Sequence, residues 1–139
     1  MVFAPAILIA ASALVILVLA VLHLVFTYWG RRFHPRDAAL EARMKEVSPL
    51  ISRETTMWRA GIGFHASHSV GAILFSLVYM YLALEGKDFL FKSPFLLILG
   101  LAFLCTFVVL AKLYWFKVPF RGIVLASGLY AAALLISWV

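Results

Sequence analysis

Apolar residues fill four long runs of this chain, and polar residues gather between them. Lys, Arg, Asp and Glu are all missing from residues 1–30, 60–84, 93–111 and 122–139. A helix needs about 20 apolar residues to cross a bilayer at 1.5 Å rise each. The pattern therefore predicts four transmembrane helices at about residues 3–29, 60–84, 93–114 and 120–138. Connections after the second span are short, so consecutive helices are expected to be antiparallel neighbours. The expected fold is all-α, an integral membrane up-down four-helix bundle forming one domain over residues 1–139. The first run lacks a basic leader and is about twice the 7–15 residues of a signal-peptide core, so it is kept as a span.

The connection between the first two spans has a pattern of its own. Pro35 suits an early helical position, and Leu40, Met44, Val47 and Ile51 follow at spacings of four, three and four. Asp37, Glu41, Arg43, Lys45 and Glu46 occupy the other face. This predicts a short amphipathic helix lying on the membrane surface or capping the bundle, ended or kinked at Ser48-Pro49.

Charge sets orientation. Arg31, Arg32, Arg36, Arg43, Lys45, Arg53 and Arg59 precede the second span, and Lys112, Lys117 and Arg121 lie between the third and fourth, so ten basic residues share one side. The opposite side has Lys87 and Lys92, offset by Glu85 and Asp88. Short loops rich in Lys and Arg stay in the cytoplasm, which predicts periplasmic termini and a cytoplasmic amphipathic helix. Tyr28, Trp29, Trp58, Tyr114 and Trp115 would mark the cytoplasmic interface and Trp138 the outer one. The net charge of +6 thus reports topology and not a nucleic-acid partner. The lone Cys105 lies within the third span, where a small core hydrophobe is the simplest role.

The second span opens Ala60-Gly61-Ile62-Gly63-Phe64-His65-Ala66-Ser67-His68-Ser69-Val70-Gly71, unusually small and polar for a lipid-facing helix. It is expected to be interior, with Gly63, Ser67 and Gly71 forming a ridge against another helix. His65 and His68 share nearly one side, with Ser69 and Tyr79 further along. His23 lies seven residues before the end of the first span and His65 six beyond Arg59, so both fall roughly 10 Å inside the same interface. Cys105, Thr106 and Ser127 reach comparable depth, which predicts a polar layer if their faces turn inward.

Intramembrane histidines invite a functional role. His68, His65 and His23 are candidate ligands for haem or a metal, or one of them a general base. The alternative is that they hydrogen-bond between helices and fix packing. All six carboxylates lie in loops, so no acid orients an imidazole within a span, and a compact drug/proton antiporter with a mid-membrane carboxylate is disfavoured. A non-enzymatic membrane protein is expected, lipid-associated or an interaction and assembly subunit, with membrane lipids, a homo-oligomer or a larger complex as partners. A haem- or metal-binding or His-dependent membrane enzyme is the alternative.

Three stretches also carry a resemblance: Arg53-Glu54-Thr55-Thr56-Met57-Trp58-Arg59, Gly63 to Gly71, and Tyr114-Trp115-Phe116 with Pro119. The chain resembles a family of small bacterial four-span membrane proteins. That family's pattern of Trp, a short apolar gap, Phe, Ser-His-Ser and Gly falls on Trp58, Phe64, Ser67, His68, Ser69 and Gly71. The resemblance implies a bacterial inner-membrane helical bundle without an assigned activity. It often has Asn at the position of His65, which shifts weight to His68.

Overall fold

A computed structural model describes residues 3–137. Trp138, expected to anchor the outer interface, lies outside the described residues. The described chain is all-α, with helices α1 (Phe3–Tyr28), α2 (Ala38–Glu46), α3 (Met57–Leu84), α4 (Lys87–Lys92), α5 (Pro94–Tyr114) and α6 (Lys117–Ser137). Four of them, α1, α3, α5 and α6, are long and apolar enough to cross a membrane, the pattern of a multi-pass membrane protein.

Helix ends follow local chemistry. The Ser93 side chain accepts from the Leu96 N–H and Pro94 takes the first helical position, so α5 starts where an N-cap and a helix-compatible proline coincide. Thr56 accepts from the Arg59 N–H, which lets α3 begin at Met57, three residues before its apolar run. In α6 Pro119 sits in the first turn, where its missing N–H costs nothing, so the helix starts at Lys117. The six-residue α4 was not anticipated; its Leu90 is fully buried.

The chain divides into two compact units, one made of the chain up to Leu19 with Ala72 onward, the other Ala20–Gly71. In the first, the buried stripes alternate small and large side chains: Ala6, Ile9, Ala13 and Ile16 on α1, and Ile123, Ala126, Tyr130 and Ala133 on α6. Small residues let helix backbones approach where lipid supplies no hydrophobic drive for association. The Ser12 hydroxyl donates to the Ala126 carbonyl at 2.7 Å, and Gly122 admits Leu19. Gly100 of α5 is the tightest point. A Cβ there would stand 2.6 Å from Cε1 of Tyr79 and 2.8 Å from Cζ of Tyr130. The two tyrosine hydroxyls donate to the carbonyls of Leu96 (2.7 Å) and Leu97 (3.1 Å), tying α3 and α6 to the first turn of α5. Phe75 and Phe103 stack at 3.8 Å between centroids beside this knot.

Gly63, Ser67 and Gly71, expected to form a packing ridge, are all exposed, and a Cβ on either glycine would meet nothing within 4 Å. The buried side of α3 runs instead through Ser69, Ala72, Ser76, Tyr79 and Ala83, an equally small set offset around the helix. Cys105 and Thr106 likewise face outward, and Thr106 returns its hydroxyl to the Ala102 carbonyl.

Candidate functional site

Within the 20–71 unit the structure brings three of the four histidines together. His23 projects from the last turns of α1 and His65 from the early turns of α3, and their Nε2 and Nδ1 atoms stand 3.1 Å apart. One ring donates and the other accepts, so the bond needs an unprotonated nitrogen on at least one partner. His68, one turn further along α3, lies edge-on to His23 at 5.4 Å between centroids. Phe64 lies roughly parallel to it at 6.4 Å. The His23–His65 hydrogen bond links α1 to α3.

Phe33 closes the cluster, and nothing in the spans foretold it. After Tyr28 the chain reverses at Gly30, whose φ of +93° is a left-handed conformation that side chains disfavour. That reversal lays the Phe33 ring parallel to His65 at 5.0 Å and tilted against His23 at 4.5 Å. The available signal was an isolated aromatic residue within the basic run Arg31-Arg32-Phe33-His34-Pro35-Arg36, immediately after a glycine.

The hydroxyls near the cluster serve their own helices. Thr27 donates to the His23 carbonyl at 2.8 Å, Ser69 to that of His65 at 3.0 Å and Ser67 to that of Phe64 at 3.0 Å. Ser127, in the other unit, does the same with Ile123. A serine on a helix satisfies itself this way without needing a neighbour. The expectation that these groups cross-link helices therefore gives way to Ser12, Tyr79 and Tyr130.

Among the described residues no group of three or more His, Cys, Asp and Glu is placed to hold a metal ion. A bis-imidazole haem fits poorly too. Two nitrogens bound at ~2.0 Å on opposite sides of one metal stand ~4 Å apart, whereas His23 and His65 are in direct hydrogen-bond contact with Phe33 over one face.

A carboxylate–histidine contact does exist, outside the spans. Asp37 caps α2 through the Ala39 and Leu40 N–H groups, so the helix starts at Ala38, after Pro35, and it ends at Glu46, just before the expected stop at Ser48-Pro49. The buried residue of α2 is Glu41, not a member of the apolar stripe. Lys45 donates to Glu41 at 2.6 Å, His34 contacts it at 3.1 Å and Arg31 approaches to 3.5 Å. The hydrogen bond from Lys45, then that of His34, holds the Glu41 carboxyl down to about 2. His34 and Lys45 also pack on Trp58, at 4.8 Å edge-on and 5.0 Å over the ring, so Glu41 fastens α2 to the start of α3.

No protein-family model, curated protein or solved structure matches this chain.

Proposed function

We propose that this chain is a non-enzymatic multi-pass protein of the bacterial inner membrane, associated with lipid and serving as an interaction or assembly subunit. Its spans would form an up-down bundle with both termini periplasmic and the segment containing α2 in the cytoplasm. The ten-to-two distribution of basic residues supports that orientation.

One observation carries the non-enzymatic reading: the imidazole cluster closes on itself. His23 and His65 engage each other, and Phe33 covers the pair. A general base needs a nitrogen within hydrogen-bond reach of a substrate proton, commonly with a third group orienting the ring. Here the partner nitrogen is another imidazole, and all six carboxylates lie outside the four long apolar helices. The cluster serves to pin α1 to α3.

Absorbance, metal content and melting temperature of protein purified with its native lipids, compared with His65→Asn and His68→Asn, test this. The expected outcome is a colourless, metal-free wild type, with His65→Asn lowering the melting temperature through loss of its bond to His23. A stoichiometric chromophore or metal that is lost in either variant would overturn it.

A further inference from the structure

The segment between α1 and α3 exposes apolar side chains where a water-facing loop would hide them. A turn closed by the Ser52 N–H donating to the Pro49 carbonyl at 3.3 Å holds Leu50 and Ile51 at its tip, 110% and 94% exposed. They are the most exposed large apolar residues among those described. Leu40 on α2 is half exposed as well. Water disfavours such an arrangement, and removing these side chains from it would be favourable.

Charge identifies what covers them. Residues 31–59 hold seven Lys and Arg against four Asp and Glu. The acids are already engaged or outnumbered: Asp37 caps α2, Glu46 pairs with Arg43 at 3.2 Å, and Glu41 takes Lys45, His34 and Arg31. Arg36, Arg53 and Arg59 are exposed on the same segment. Tyr28 and Trp29 at the start of the segment and Trp58 near its end are residue types that settle at headgroup level, so both ends are held beside a bilayer surface. An apolar tip ringed by cations and tethered at an interface matches anionic phospholipid, whose headgroups attract Lys and Arg while its acyl boundary accepts Leu and Ile.

We infer that the 29–59 segment docks on the anionic phospholipid surface of the membrane that holds the protein, with Leu50 and Ile51 inserted at the acyl boundary and Arg36, Arg53 and Arg59 on phosphate groups. The inference rests on the multi-span membrane reading. It goes beyond that reading by naming the lipid class and the inserting residues. The Glu41 cluster has a part in this arrangement, because it fixes α2 against Trp58 and so limits where the turn can reach.

The test places an environment-sensitive fluorophore on Ile51→Cys in a Cys105→Ala background, in full-length protein reconstituted into vesicles. One set is phosphatidylcholine alone and the other contains one quarter phosphatidylglycerol. A control label on Leu135→Cys, an exposed apolar position of α6, reports the spans themselves. Quenching by spin-labelled lipid at Ile51 is expected to be at least threefold stronger with phosphatidylglycerol, and to lose that difference when Arg36 and Arg53 are changed to Glu. If the control is quenched while the Ile51 label emits as in water in both compositions, docking is refuted and the membrane reading stands. That result points to a soluble protein partner. Failure of both labels refutes both statements. Burial of the Ile51 label that depends on the protein-to-lipid ratio would assign the tip to a second copy and overturn the lipid assignment.

Discussion

Gly100→Ala is the sharpest test of how the helices of the larger unit are held. The added methyl would stand 2.6 Å from Tyr79 Cε1 and 2.8 Å from Tyr130 Cζ, with the Tyr130 hydroxyl nearer still. Carbon atoms pack comfortably at about 3.5–4.0 Å, so each ring must retreat by about 1 Å. Their hydroxyl bonds of 2.7 and 3.1 Å would then pass out of hydrogen-bonding range. Two lost interhelical bonds cost about 0.6–1 kcal/mol each. Overpacking adds about 1–3 kcal/mol, and the better helix propensity of alanine returns about 0.5–1 kcal/mol. The net expectation is a loss of about 1–4 kcal/mol. Denaturant titration in mild detergent, followed by circular dichroism, measures it against Gly71→Ala, whose methyl meets nothing within 4 Å and should be neutral or slightly stabilising. If Gly100→Ala were as stable as wild type, or if the two variants behaved alike, the tyrosine knot would not be what holds α3 and α6 on α5.

Three further outcomes are expected. Glu41 has its carboxyl pKa lowered from 4.5 to about 2, so its pairing supports the loop in full above about pH 4.5 and fades as pH falls toward 2; fluorescence of a variant retaining only Trp58 should change across that window, and Glu41→Gln should remove the change. Ser12→Ala deletes the 2.7 Å bond to Ala126 and should cost about 1 kcal/mol in the same denaturant assay, whereas Ser67→Ala, whose bond stays within its own helix turn, should cost nothing measurable. Reporter fusions within residues 38–52 should behave as cytoplasmic and fusions after residue 139 as periplasmic, and the reverse pattern would overturn the orientation.

The four long helices were legible because missing charge is a one-dimensional signal: Arg59, Glu85, Lys92 and Lys112 bracket runs that no folding detail can alter. Which face of a helix is buried is a relational property, and on α3 it was not legible. Both candidate faces there are small and polar, Gly63-Ser67-Gly71 on one side and Ser69-Ala72-Ser76 on the other, so composition had no means of choosing. Depth counting did bring His23 and His65 to the same level, because two helices meeting one interface share a ruler. It could not supply Phe33, whose position depends on the reversal at Gly30. The stop of α2 just before Ser48-Pro49 was legible from the proline, whereas its start at Ala38 depends on Asp37 capping, about which the apolar spacing carries no information.

The hydrogen bonds that join helices in the larger unit share an asymmetry. Ser12, Tyr79 and Tyr130 each supply a hydroxyl, and each receiving atom is a main-chain carbonyl, at Ala126, Leu96 and Leu97. A carbonyl is present whatever the side chain, so mutation removes the chemistry of these links at the donor end, while elsewhere it can break them only by displacing the partners, as at Gly100. The vulnerable positions are three hydroxyls, while the acceptor sites answer to volume alone. Half-buried Leu96 has the most latitude and fully buried Ala126 the least. A saturation scan of this region should therefore show chemical intolerance at 12, 79 and 130 beside purely steric intolerance at 126, two kinds of constraint on opposite ends of the same bonds.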